Sequence, residues 1–160
     1  MKRSTSPDEW MSERVWRQVK HSVSIPCVDV ILENPQGAVL LGWRKISPYG
    51  NVWATPGGRM GRGENLRNAA NRIIREYGLT AANLFLVGVF PVKFSTRADV
   101  TICLASNMPS GNAVADGYEF SSFNWTRNIP AKIGGNYLKM IRKWRLLERN
   151  PQALSYLRIH

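Results

Sequence analysis

The segment WATPGGRMGRGENLRNAANRIIREYGL, from Trp53 to Leu79, constrains the fold of this chain more than any other stretch. A glycine-rich turn leads into apolar residues at helical spacing, and Gly78 follows as a typical helix C-cap. The pattern predicts a helix over Glu64–Tyr77. One face of that helix should be buried, and its apolar residues are Leu66, Ala69, Ala70, Ile73 and Ile74.

The rest of the chain predicts strands and helices that do not alternate regularly. A helix is expected from a cap at Ser6, Pro7 and Glu9 to about Lys20, with an apolar stripe on Trp10, Met11, Val15 and Val19. Turn residues separate the apolar runs, which are typical of strands over residues 23–32, 38–44, 84–94, 100–106 and 120–125. A helix is expected over residues 136–149, stopped by Asn150 and Pro151. This mixture favours an α+β fold, with helices packed against a mixed sheet.

The length and the apolar content fit one soluble domain. The chain has 160 residues, of which 44% are hydrophobic, enough for one sizeable core. We expect an N-terminal helical extension over residues 1–21, a main domain over 22–150 and a C-terminal tail over 151–160. No run of 18 apolar residues and no apolar signal region is present, so we expect no membrane segment. Cys27 and Cys103 lie in apolar runs, which favours buried free thiols and a reducing, cytoplasmic setting.

The charge balance predicts an anionic partner. The sequence has 22 Lys and Arg residues against 11 Asp and Glu residues, a formal net charge of +11. Nucleic acid and a small phosphorylated substrate both fit this charge. The basic residues are spread along the chain and form no block of five or six. Nucleic acid is therefore possible, and the small substrate is favoured.

The glycine-rich turn has the chemistry of a diphosphate and metal site. Gly57 and Gly58 let the backbone approach a ligand closely, and a carbonyl in such a turn can bind Mg²⁺. Glu76, near the end of the predicted helix, is a candidate carboxylate ligand. Arg59 and Arg62 leave the turn where a diphosphate would bind, and arginine can grip phosphate oxygens with two hydrogen bonds.

An ordinary structural interpretation of the same residues stays open at this point. Arg72 and Glu76 are four residues apart and can form a surface ion pair on a helix. Glu64 can be a first-turn acid that the helix dipole favours.

The segment resembles the Nudix box. Gly58 is followed after five residues by Glu64, and Glu64 after seven residues by Arg72, as in the first half of that motif. In the second half one residue is missing and most of the acids are absent. Counted from either end, Glu76 falls on a metal-ligand position of the motif. The resemblance implies a Nudix fold, an α/β/α sandwich around a mixed β-sheet.

Further features are similar to the GDP-mannose mannosyl hydrolase branch of the Nudix proteins, whose box is also poor in acids. This similarity covers roughly residues 23–144. Its features are the strand end Val28–Asn34, the run Leu40-Leu41-Gly42 followed by Arg44, the Pro56–Arg59 turn with Trp53 before it, and a late strand with Trp125.

The resemblance implies roles for five residues. The carbonyl of Gly57 and the carboxylates of Glu76 and Glu119 would bind Mg²⁺ (or Mn²⁺). Arg44 and Arg59 would hold the diphosphate and stabilise charge on the departing nucleoside diphosphate. Our own interpretation of the turn adds Arg62 to the substrate-binding residues.

One departure from the branch concerns its general base. The branch has a Gln-His pair six and five residues before the late tryptophan. Glu119 and Phe120 stand at those distances from Trp125. A carboxylate can replace the glutamine as a metal ligand, whereas Phe120 cannot accept a proton. Asp116 is the nearest remaining acid in the sequence and the candidate replacement base.

Three functions follow as expectations. The resemblance implies a Mg²⁺-dependent Nudix hydrolase of a nucleoside diphosphate sugar similar to GDP-mannose, in which water attacks C1 of the sugar. The branch also forms homodimers. A P–O-cleaving nucleoside diphosphate pyrophosphohydrolase and a non-catalytic nucleotide-binding module are the alternatives.

Overall fold

The computed structural model describes residues 11–160, and the first described helix lies near their start. Helix α1 (Glu13–Ser22) has Ser12 as its N-cap, whose hydroxyl accepts a hydrogen bond from the amide of Val15. The predicted cap at Ser6, Pro7 and Glu9, and Trp10 of the stripe, lie outside the described residues. The remainder of the predicted stripe is partly wrong, because the buried residue of α1 is Trp16 whereas Val15 is 38% exposed.

The strands form a mixed four-stranded sheet, an antiparallel three-stranded sheet and a short pair. Their order is β4-β1-β7-β6, β3-β2-β9 and β5-β8, and β1 runs parallel to β7 whereas its pairing with β4 is antiparallel. The strands are β1 (Ile25–Leu32), β2 (Val39–Arg44), β3 (Val52–Ala54), β4 (Gly57–Arg59), β5 (Leu79–Ala81), β6 (Phe85–Lys93), β7 (Ala98–Ser106), β8 (Pro109–Gly111) and β9 (Phe120–Thr126).

Helices cover both faces of the strands. Val28, Val30 and Leu32 of β1 pack with helix α2 (Leu66–Glu76) in one apolar cluster. Ile31 of β1 packs in a second cluster with helix α3 (Tyr137–Glu148). Alternate side chains of a strand point to opposite faces, so β1 lies between two helical layers. The expected α+β class and α/β/α sandwich are confirmed.

Helix α2 is shorter than the sequence predicted. It begins at Leu66, because the side chain of Asn65 accepts a hydrogen bond from the amide of Asn68 and caps the helix. Glu64 therefore lies before the helix, and Tyr77 lies after it as a fully buried side chain. The C-terminal tail forms helix α4 (Pro151–Leu157).

The structure also bears on the two cysteines and on membrane-spanning segments. The thiols of Cys27 and Cys103 are buried and free, and burial raises the pKa of the Cys27 thiol to about 12. Across residues 11–160, no helix has the length and apolar character that a membrane span requires.

Candidate active site

The Gly57–Arg59 turn lies on the edge strand β4. The amide of Val30 donates to the carbonyl of Pro56, and the amide of Met60 donates to the carbonyl of Pro26. In an antiparallel ladder, residues that bond to the partner strand alternate with residues whose backbone groups point away from it. The carbonyls of Gly57 and Arg59 therefore point away from β1.

The direction of these carbonyls is towards α2. The guanidinium of Arg72, on α2, donates to the carbonyl of Arg59 at 2.9 Å. Carbonyls two residues apart in a strand point the same way. Gly57 thus presents a backbone oxygen on the side where α2 carries Glu76, one helical turn after Arg72.

Gly57 is needed here because Asp29 packs directly against it. A Cβ atom added to Gly57 would lie 1.8 Å from the Oδ1 atom of Asp29. The sequence suggested that Gly57 leaves room for a ligand, and the structure shows that it leaves room for the carboxylate of Asp29.

Asp29 packs against the predicted site, and our interpretation of the sequence gave it no role. Its side chain is 9% exposed, and it forms none of the ion pairs found within residues 11–160. Burial raises the pKa of this carboxyl to about 7, which the positive charge of Arg44 opposes and the negative charge of Asp99 reinforces. The signal in the sequence was a single acid inside the apolar strand IPCVDVIL.

Arg44 and Glu119 form an ion pair. The Nε atom of Arg44 donates to Oε1 of Glu119 at 3.2 Å, and the side chains are 12% and 11% exposed. Arg44, at the end of β2, is paired with Phe120, the first residue of β9 and the residue after Glu119, and a β-bulge lies between Gly42 and Arg44. The structure thus brings together two residues predicted for different roles, one for the phosphates and one for the metal.

The other two predicted arginines have different surroundings. The guanidinium of Arg59 stacks over the ring of Trp16 on α1, 4.7 Å from its centroid. Burial lowers the pKa of Arg59, and the charge of Arg97 lowers it further. Arg62 is exposed in the loop between β4 and α2.

Glu64 holds the loop to α2. Its two carboxylate oxygens accept hydrogen bonds from Arg72, each at 2.8 Å, and Oε2 also accepts from the amide of Gly61 at 2.7 Å. The hydrogen bond from Arg72 lowers the pKa of Glu64. Arg72 also pairs with Glu76 at 3.5 Å. The ion pair that the sequence allowed between Arg72 and Glu76 is therefore present. Glu64 lies before the helix and also binds Arg72.

Phe120, at the position of the branch's histidine, is a core residue. It is 1% exposed and makes edge-on ring contacts with Tyr77 and tilted contacts with Phe123. Gly42 on the neighbouring strand leaves space for the ring, because a Cβ there would lie 2.3 Å from it.

Asp116 orders the loop before β9. Its Oδ1 atom accepts hydrogen bonds from the amides of Tyr118, Glu119 and Phe120, at 3.2, 3.0 and 2.9 Å. These bonds fix the backbone from which Glu119 extends.

The donor set of the predicted metal site is small. Within residues 11–160, no group of three or more histidine, cysteine, aspartate or glutamate side chains is positioned to hold a metal ion. The predicted ligands are the outward carbonyl of Gly57 and the carboxylates of Glu76 and Glu119. Mg²⁺ is commonly bound by one or two carboxylates together with waters and substrate phosphates. A carbonyl and two carboxylates are donors of the types that Mg²⁺ accepts, and an ion held by them would also need waters and substrate phosphates.

Comparison with known proteins identifies the family. The NUDIX domain model matches residues 23–129. A protein of Bacillus subtilis (strain 168) named "Putative 8-oxo-dGTP diphosphatase" is 36% identical over 98 residues, which are 60% of this chain and 62% of that protein. The chain thus matches about three fifths of the length of this relative.

Solved structures share the fold. MutT Nudix hydrolase from Burkholderia pseudomallei superposes with a TM-score of 0.71 at 18% identity, over 76% of this chain and 98% of that one. The Nudix domain of Shewanella oneidensis NrtR, solved with ADP-ribose, gives a TM-score of 0.67 at 19% identity, over 87% and 99% of the two chains.

The chain belongs to the Nudix domain family. This membership confirms the expected Nudix fold.

Proposed function

We propose that this Nudix hydrolase cleaves a P–O bond in the diphosphate of a nucleoside diphosphate or triphosphate derivative, in a Mg²⁺-dependent reaction. The observation that carries the proposal is the Arg44–Glu119 pair. The charge of Arg44 also acts on Asp29, which packs against Gly57. An anion-binding group and a cation-binding group meet at one place, as a metal-bridged diphosphate requires. The name of the Bacillus subtilis relative, a diphosphatase, supports the same bond.

Each predicted site residue has a place in this proposal. Arg44 and Arg59 bind the phosphates and stabilise charge on the leaving group, and Arg62 adds a weaker, exposed contact. Gly57, Glu76 and Glu119 would hold Mg²⁺ or Mn²⁺. When bound, the ion would neutralise phosphate charge and polarise the phosphoryl oxygens. We give Asp116 a positioning role instead of the role of a base, because its Oδ1 atom accepts three backbone hydrogen bonds.

Hydrolysis of a sugar nucleotide such as GDP-mannose at the C–O bond is the second candidate. One observation favours it: Glu76 is the only acid in helix α2, and Ile73 of the same helix is buried in the core. An acid-poor helix is a feature of the branch that the sequence resembles. The buried ring of Phe120 argues for ranking this reaction second, because C1 attack needs a base that Phe120 cannot supply.

The proposal is tested with the purified chain and a panel of 8-oxo-dGTP, ADP-ribose and GDP-mannose, with and without Mg²⁺. We expect turnover only with Mg²⁺, with products of P–O cleavage. Glu76→Gln should lower kcat/KM by at least about 100-fold, as loss of a charged catalytic contact does. Glu13→Gln, an equivalent change of an exposed acid on α1, should leave it unchanged.

Two results would contradict the proposal. Release of a nucleoside diphosphate and free sugar would favour C–O hydrolysis. Nucleotide binding without turnover of any compound would favour a non-catalytic binding module, the third expectation from the sequence.

A further inference from the structure

The exposed face of helix α3 carries positive charge along its whole length. The exposed residues of the helix and its C-cap are Lys139, Arg142, Lys143, Leu146 and Arg149. Positions three and four apart lie on one side of a helix, so the two lysines and two arginines form one row, which we call the α3 stripe. Its first and last members are ten residues apart, a length of about 15 Å along the helix axis.

No acid of the helix lies in this stripe. Within Tyr137–Glu148 the one acid is Glu148, which follows Trp144 by four residues and therefore lies on the same side of the helix. Trp144 is buried and donates a hydrogen bond to Glu33, and Glu148 is also hydrogen-bonded to Glu33. The carboxyl group of Glu148 is thus held on the core side of α3, opposite the stripe.

Contacts with other elements define the two edges of the stripe. On one edge, the Nζ atom of Lys143 lies 5.7 Å from the ring centroid of Phe90 on β6, a cation–π contact that orients the lysine side chain. On the other edge, the guanidinium of Arg145 donates to the carbonyl of Arg127 at 2.9 Å. The exposed residue Arg127 is therefore held beside the helix and adds a further cation to this surface.

A row of cations without acids suits the phosphate backbone of a nucleic acid. Lysine and arginine bind backbone phosphates whatever the base sequence. A duplex advances about 3.4 Å per base pair, so the stripe can face about four successive base pairs. Between Lys139 and Arg149 the exposed positions hold no aromatic ring, whereas proteins that bind single strands stack the bases on such rings. The stripe therefore fits a duplex better than a single strand.

An acidic membrane surface fits this helix less well. A helix that lies on a membrane inserts its apolar face at the boundary between headgroups and acyl chains. The apolar face of α3, with Met140, Ile141 and Trp144, is already buried in the protein core. Along residues 137–149, the exposed face offers a lipid one apolar side chain, that of Leu146.

We propose that the α3 stripe binds the phosphate backbone of double-stranded nucleic acid, without preference for base sequence. The formal net charge of +11 favours an anionic partner, and the stripe assigns part of that charge to a defined surface. The inference goes beyond the proposed function and does not depend on it, because no residue of the stripe has a role in the site at Gly57, Glu76 and Glu119.

Fluorescence anisotropy with a labelled DNA duplex of about 16 base pairs tests this inference over a range of KCl concentrations. If about four phosphates are contacted, log K should fall with log salt concentration with a slope of about −3.6. Arg142→Gln with Arg149→Gln should make the slope less steep by about 2, because each lost phosphate contact removes about 1. Arg14→Gln with Arg17→Gln removes the same charge from exposed positions of α1 and should leave the slope unchanged.

A second variant and the melting temperature keep a loss of binding distinct from a loss of folding. Lys139→Gln should make the slope less steep by about 1. Because the substituted side chains are exposed, all of these variants should keep the melting temperature of the wild-type chain.

Four outcomes would overturn the inference. Equal effects of the two double changes would show that the net charge, and not the stripe, determines binding. The other three concern the wild-type chain: no binding of the duplex at the lowest salt concentration, tighter binding of a single strand of the same length, or tighter binding of phosphatidylserine vesicles.

Discussion

Arg44 and Glu119 lie 75 residues apart in the sequence, and antiparallel strands bring the Nε atom of one to 3.2 Å from the carboxylate of the other. Both side chains are largely buried. The pair therefore satisfies two charges that would be costly to bury singly. In the proposed site, phosphates bind Arg44 and the metal binds Glu119. Each ligand thus replaces the partner that its residue has in the ion pair.

Arg44→Met should destabilise the fold because it leaves Glu119 buried without this cation. Breaking a buried pair costs about 3 kcal/mol or more. We expect a loss of this order in the free energy of unfolding, measured with urea. The double change Arg44→Met with Glu119→Leu should recover most of the loss, whereas hydrolysis should be absent from both variants. If the double variant is no more stable than the single one, loss of the Arg44–Glu119 pair does not explain the destabilisation.

Gly57→Ala should destabilise the fold through contact with Asp29. The new Cβ would lie 1.8 Å from Oδ1 of the carboxylate, so the strand or the side chain must move. Overpacking of this kind costs about 1–3 kcal/mol.

Gly58→Ala is the matched control for that change. Its Cβ would meet the nearest atom, on Ile73, at an ordinary 3.5 Å. Thermal unfolding of both variants checks the prediction. Similar melting temperatures for the two would mean that Asp29 does not restrict residue 57.

Deprotonation of Glu148 should lower the free energy of unfolding as the pH rises. Burial raises the pKa of this carboxyl, as do the negative charge of Glu33 and a hydrogen bond with that residue. Because this pKa is higher in the folded state, protonated Glu148 contributes to the free energy of unfolding. The contribution is complete below the ordinary value of 4.5 and is lost as the pH rises through the higher folded value.

Glu148→Gln keeps a donor for Glu33 without the charge. We expect its urea midpoint to exceed that of the wild-type chain at pH 7–8, and the difference to disappear by about pH 4. The two midpoints should be measured across that range. A constant difference at all pH values would contradict a titration of Glu148.

The sequence could predict features that depend on local pattern. The apolar spacing of α2 defines a buried face and the apolar run of β1 predicts a buried strand, and the two meet in the core as expected. The short strands β3, β4, β5 and β8 were not predicted, because three residues carry no periodicity and their strand character comes from pairing with distant partners.

The chemistry of the site could be predicted only in part. Glu76 and the glycine turn stand out locally, since a motif contains both. The packing of Asp29 on Gly57 and the burial of Phe120 between Tyr77 and Phe123 depend on strand register and on distant side chains.

Hydrolysis in ¹⁸O-labelled water tests the central claim most directly. The purified chain is incubated with Mg²⁺ and the best substrate of the panel, and the products are analysed by mass spectrometry. We predict that ¹⁸O enters a phosphate product, and that Glu76→Gln abolishes this incorporation. Label found only in the sugar would contradict P–O cleavage, because it would show attack at C1.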